Sequence, residues 1–177
     1  EREVPPTEKN IETSKKGQYR IKDNFLAFWF RFVYPMRSFI ESDHPEIAMT
    51  KLKTGFIPNH VGYVYEDICR QKMWELNAQG KLPFLFDRVG RWWGGKDTEI
   101  DIVAIDTTDR SKIIFGECKF HQNVPMQLSE LHQLKEKAAV VPWGNANRDE
   151  YFALFCISGY SEDLQQLAQE DSHLLLM

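Results

Sequence analysis

A chain of 177 residues that is 42% hydrophobic and 13% aromatic can bury one real core, which excludes a disordered tail. Its formal charge of −4 is uneven: residues 1–60 hold ten Lys/Arg against eight Asp/Glu, the remainder twelve against eighteen, with most of the acidity after Asn147. The nearly neutral middle excludes a strong long-range pull on a polyanion, so any nucleic-acid binding must rest on a local patch, a metal ion or another part of a larger protein.

Cys69, Cys118 and Cys156 are isolated and odd in number, a usage that fits reduced thiols and a cytoplasmic setting better than a disulfide framework. The most apolar run, Phe25 to Phe30, is broken by Arg31 and Pro35 and falls short of the roughly 20 residues of a membrane span. No signal peptide and no glycine-rich phosphate loop is visible, and a start at Glu1 rather than Met suggests a piece of something longer.

In chain order, residues 1–22 read as two short strands, Arg2–Val4 and Gln18–Ile21, around a lysine-bearing loop. Asp23 caps a helix that is expected to stop at Pro35 and whose Phe25, Phe28, Trp29 and Phe32 form one aromatic face, read as core or domain interface. A short helix over Pro45–Lys53 and a loop over Gly55–Asn59 lead to a longer helix from Gly62 to Ala78. After Gly80 come three strands, Phe84–Trp93, Glu99–Asp106 and Lys112–Phe120, then an amphipathic helix, Gln127–Val140. The run Tyr151–Ser158 has the composition of a strand buried on both faces; Ser161 caps a last helix, and His173–Met177 can start another strand. The reading is thus a helical connector over 23–60 packed on an α/β domain over 61–177.

The chemistry concentrates in EIDIVAID and KIIFGECKF. Strict alternation puts Glu99, Asp101 and Val103 on one face of the first strand, and Phe115, Glu117 and Lys119 on one face of the second. If the two form a hairpin, Asp101 lies across from Glu117. Adjacent carboxylates repel unless a cation sits between them, and a neighbouring lysine can offset the charge or bind phosphate. A third acid, Glu66, is the one charged member of the stripe Gly62, Glu66, Cys69, Met73, Leu76 and should point at the sheet; Asp67, one step around, should be solvated.

The pattern Asp101-x15-Glu117-Cys-Lys119 behind a helix carrying Glu66 resembles the PD-(D/E)xK nuclease superfamily, with Ile100 in place of the motif's proline. From EREVPPTE through YRIKDNFLAFWFRF, YEDICR, RVGRWW, EIDIVA and GECKF, the chain also resembles a C-terminal domain of unknown function that follows an AAA-type ATPase and a winged helix in archaeal and bacterial proteins. The resemblance implies a restriction-endonuclease-like αβββαβ core with a mixed sheet, preceded by an appendage in which residues 1–22 are the tail of the winged helix. It implies Mg²⁺ or Mn²⁺ held by Asp101 and Glu117, with Glu66 as a further ligand directly or through water, Lys119 orienting or helping to deprotonate the attacking water or stabilising the phosphorane charge, and ATP bound only in an upstream ATPase in cis. Hydrolysis of DNA is the expected activity. A catalytically inactive interaction or regulatory domain of that ATPase, with oligomerisation, is the alternative, because nuclease folds are also used without turnover.

Other residues carry weaker signals. Arg88, Arg91 and one of Trp92 and Trp93 could grip nucleic acid, with alternation sending the other tryptophan inward; Trp93 is the candidate. Lys137 and Gln133 sit beside the Leu134 stripe and either line the site or form a solvated edge. Cys118-x2-His121 lacks the partners of a zinc site, and Cys118 should face a helix as a small core residue.

Overall fold

A computed structural model describes residues 1–95, 98–145 and 147–177. Two β-strands, β1 (Arg2–Glu3) and β2 (Gln18–Tyr19), form a small antiparallel ribbon. The helical segment follows as α1 (Asn24–Phe28), a π-turn (Trp29–Val33), a 3₁₀ turn (Tyr34–Met36), α2 (Arg37–Glu41), α3 (Pro45–Phe56) and a second π-turn (Ile57–Val61) that runs into α4 (Gly62–Ala78). The main sheet comprises β3 (Arg88–Gly94), β4 (Thr98–Ile105), β5 (Lys112–Lys119), β6 (Asp149–Cys156) and β7 (Leu174–Leu176), with α5 (Leu128–Ala139) and α6 (Glu162–Glu170) between its later strands. Strand order is β3-β4-β5-β6-β7, antiparallel from β3 to β5 and parallel from β5 to β7, so the molecule is mixed α/β with a mixed five-stranded sheet.

The sheet has a core on each face. One contains Val103, Ile105, Ile113 and Phe115 under Leu131, Leu134 and Ala138 of α5. The other contains Ile102, Ala104, Ile114 and Cys118 against Cys69 and Met73 of α4. Burial on both sides explains why β5 and β6 read as nearly unbroken apolar runs. A capping box between Gln127 and Glu130 starts α5. Buried Asn77 closes α4 onto β3, exchanging two 3.0 Å hydrogen bonds with the backbone of Phe86.

Three expectations differ from the structure. Pro35 does not end the first helical run: the chain passes it in a 3₁₀ turn, which the proline's missing N–H permits in a first turn, and continues into α2. Residues 55–59 are helical rather than a loop, because the proline at 58 likewise falls in the first turn of a π-helix. Of the two readings of the aromatic face of residues 25–32, core and domain interface, the first fails, since the segment from α1 to the second π-turn contains no buried residue; Phe28 and Phe32 meet Phe56 and His60 edge-on.

Residues 1–22 lie outside the main sheet, but they cover its β3 edge. Pro5 and Pro6 are buried. Thr7 Oγ1 accepts from the indole of Trp92 at 3.0 Å, Lys16 O from that of Trp93 at 3.1 Å, and Glu8 O from Arg88 at 2.9 Å. An edge strand presents unpaired backbone groups, and this cover shields it. Among the described residues no helix is long and apolar enough to cross a membrane.

Candidate carboxylate and lysine site

Asp101 stands where the β4–β5 pairing ends. The paired register runs from Ile105↔Ile113 to Ile102↔Gly116; one step further, the Asp101 side chain replaces the strand ladder, its Oδ2 accepting from the backbone N–H of Cys118 at 2.8 Å. On its other side β4 carries a bulge: Gly90 pairs with Val103 but Trp92 with Ile100, so Asp101 and Ile102 together oppose Arg91. That extra residue overturns strict alternation. Ile100 joins the same core as Val103, whereas Ile102 lies in the opposite one.

Glu117 comes from the central strand β5 and is buried. It is held by two lysines: Lys119 Nζ donates to its Oε1 at 2.6 Å and Lys137 Nζ, from α5, to its Oε2 at 3.1 Å. Lys137 thus belongs to the site and is not a solvated edge, because the Leu134 stripe that docks α5 turns it toward β5. Burial works against the charge of Lys119, but the charge and hydrogen bond of Glu117 outweigh it and raise its pKa.

Glu66 arrives from α4. Its Oε2 is buried and accepts no hydrogen bond among the described residues, with Arg91 Nε at 3.4 Å and Arg70 Nη1 at 3.6 Å. Burial, then the charge of Asp101, pushes the Glu66 pKa up to about 7 against the pull of both arginines. Burial, then the charge of Glu117, pushes Asp101 up to about 6 although Cys118 N–H favours its anion. The charge of Asp101 thus acts on Glu66, and that of Glu117 on Asp101.

Arg70 escaped the sequence reading. It is buried, pairs with Glu66 and Asp67, and donates to Asp101 O at 3.0 Å. Its position one turn after Glu66 on the inward stripe was the available signal. Asp67 is not simply solvated: Arg20 grips both its oxygens at 2.9 Å and Arg70 adds a third contact. Burial opposes its ionisation, and the two arginines prevail and lower its pKa. The Asp67 position turned out bonded because Arg20 comes from the first ribbon, 47 residues away.

Of the residues expected to touch nucleic acid, Arg91 reaches Glu66 and Lys137 reaches Glu117. Arg88 pairs with Ile105 at the far end of β3 and is held by Glu8 O; Trp93 is half-buried against Lys16 O. Trp92 is the inward tryptophan. Cys118 faces the α4 side beside Cys69, where burial and that neighbour push its thiol up, and His121 is exposed.

Whether this set suits a divalent ion is a matter of donors and spacing. The donors fit a hard cation, all being carboxylate oxygens, and one of them is a buried oxygen without a hydrogen bond. As arranged, though, among the described residues no group of three His, Cys, Asp or Glu stands together closely enough to hold a metal. Lys119 and Lys137 instead neutralise Glu117.

Comparison with known proteins adds a family. Residues 29–138 match DUF234, archaeal and bacterial proteins of unknown function. An uncharacterized protein of Methanocaldococcus jannaschii, MJECL04, is 36% identical over 155 residues, covering 87% of this chain. The chain spans 33% of that relative's length. No solved structure matches.

Proposed function

This chain belongs to the DUF234 family, and for it we propose a metal-dependent phosphodiesterase domain of the nuclease type, acting on DNA within a longer protein that carries an AAA-type ATPase upstream. One observation supports the reading above others: Glu66 and Asp101 both have raised pKa values, each from burial and then a neighbouring carboxylate, with Lys119 on Glu117 at the end of a buried hairpin. Glu66 Oε2 is buried without a hydrogen bond, with the two arginines near it only at ion-pair distance.

In this reading Asp101 and Glu117 bind Mg²⁺ or Mn²⁺, with Glu66 completing the set directly or through water. The ion supplies Lewis-acid polarisation of the phosphoryl oxygen and lowers the pKa of water. Asp101 is oriented for this by Cys118 N–H. Where Glu66 reaches the ion through water rather than directly, its carboxylate can accept a proton from that water. Lys119 Nζ, released from Glu117 Oε1, stabilises the charge that grows on the phosphoryl group. Arg91 and Lys137 flank the site and meet the phosphates on either side of it.

The double pairing of Glu117 by lysines favours a second reading, a catalytically quiet interaction domain in which the lysines permanently stand for the metal. A cleavage assay on plasmid and single strands with Mg²⁺ or Mn²⁺ separates the two. Lys119→Ala is expected to abolish cleavage while Mn²⁺ affinity, read as the ion's rise in Tm, stays equal or increases, since a repelling charge is gone. Glu117→Ala is expected to lose both. Cleavage that survives in Lys119→Ala sinks the mechanism, and bound Mn²⁺ without cleavage by wild type selects the quiet domain.

A further inference from the structure

Beside the carboxylates lies a cavity of about 440 Å³, between the first ribbon, the helical segment, α4 and β3. Its size is that of a small-molecule site. Tyr63 forms part of its wall, and two cations stand over that ring: Arg91 Cζ is 5.1 Å and Arg31 Cζ 5.5 Å from the centroid. Phe30, Asn59 and His60 complete the lining that matters here, an aromatic edge and polar groups able to meet the edge of a ring. Burial and the charge of Arg31 lower the His60 pKa, which favours its neutral, donor-and-acceptor form.

The two arginines differ in a telling way. Arg91 is answered by Glu66 and Glu99. Arg31 donates to the carbonyl of Asn59 and, among the described residues, has no carboxylate partner. The cavity thus offers one tyrosine ring flanked by two guanidiniums, and one cation with no carboxylate partner among the described residues. It is also joined to the carboxylate site twice: Arg91 borders the cavity and touches Glu66, and Tyr63 lies three residues before Glu66 on α4, about 5–6 Å between Cβ atoms.

We infer that this cavity is a subsite for one unpaired nucleotide, its base against Tyr63 and its phosphate on Arg31, so that the domain acts on single strands, flaps or frayed ends rather than on blunt duplex. The inference rests on the phosphodiesterase reading for the role of the neighbouring carboxylates. A base inside a duplex has both faces covered by its neighbours, and only an unstacked one can present a face to Tyr63. Any base satisfies a stacking surface, so the preference is for strand state and not for sequence.

The test is fluorescence anisotropy in EDTA, which removes metal and cleavage from the measurement. The probes are a labelled oligothymidylate strand and its blunt duplex with oligoadenylate. Wild type is expected to bind the single strand about tenfold tighter than the duplex. Tyr63→Ala is expected to lose that preference and Tyr63→Phe to keep it; Tyr63 is 38% exposed, so neither threatens the fold. Arg31→Gln is expected to weaken single-strand binding and to lower its salt slope by about one ion. Equal affinity for both probes, or an unchanged preference in Tyr63→Ala, overturns the subsite. Metal-dependent cleavage without strand preference would leave the phosphodiesterase reading standing and remove this one; strand preference lost in Tyr63→Ala, without cleavage, would do the reverse.

Discussion

At the scale of single residues, Glu66 decides the electrostatic behaviour of the site. Its carboxyl, ordinarily near 4.5, is pushed up to about 7 by burial and Asp101. The folded state therefore binds a proton that the unfolded chain has already released, and stability contributed by protonated Glu66 is lost as pH rises through that window. Asp101 behaves alike, but only up to about 6. In EDTA, wild type is expected to lose stability between pH 5 and 8, on the order of 2–3 kcal/mol from Glu66. Urea unfolding should show Glu66→Gln flattened between pH 7 and 8, where Glu66 still titrates and Asp101 is largely ionised. An unchanged slope in the variant would remove Glu66 from this role. The same residue shows how legible the site was. Its helical stripe marked it as inward, and the alternation in β5 marked Glu117, whereas Arg70 and the Arg20–Asp67 pair depend on which elements meet.

At the scale of elements, the β4–β5–β6 stack is the frame that sets the carboxylates, and Gly116 is its closest approach. A Cβ there would lie 2.9 Å from Ile102 Cβ and 3.1 Å from Ala153 O, one neighbour on each flanking strand. Neither can give way without moving a strand. Gly116→Ala is expected to destabilise by about 1–3 kcal/mol through overpacking, seen as a lower denaturant midpoint at constant slope. Since Gly116 precedes Glu117, Mn²⁺ affinity is expected to fall with it; a variant as stable as wild type would contradict the tight packing. The strands themselves were readable from aliphatic runs and turn residues. The bulge opposite Arg91 was not: one extra residue leaves composition and periodicity almost untouched, yet it moves Ile100 to the other core.

At the scale of the whole molecule, the first residues act as a cover for β3. Pro6 lies over Gly90, Thr7 meets the Trp92 indole, and Arg20 ties the ribbon to Asp67 on α4. Deleting residues 1–16 is expected to lower Tm by several degrees, since each kcal/mol corresponds to about 2–4 °C at this size, and to increase self-association through the bared edge. A differential scan and size-exclusion chromatography check both. An unchanged Tm with a monomeric product would show the cover to be dispensable.

The sequence by itself determined what is local. α4 from Gly62 to Ala78, the β4–β5 hairpin, the inward Trp92 and the core cysteine Cys118 all follow from periods of 3.6 and 2, because such patterns act through nearest neighbours. Only the tertiary structure decided what depends on residues far apart in the chain. It brought Lys137 onto Glu117, laid residues 1–22 over β3 and opened the cavity beside Tyr63. It also left the aromatic face of residues 25–32 outside the core. The spacing of those aromatics is what a buried helix would show, and whether such a face is covered depends on the partner that folding brings against it, which no local pattern contains.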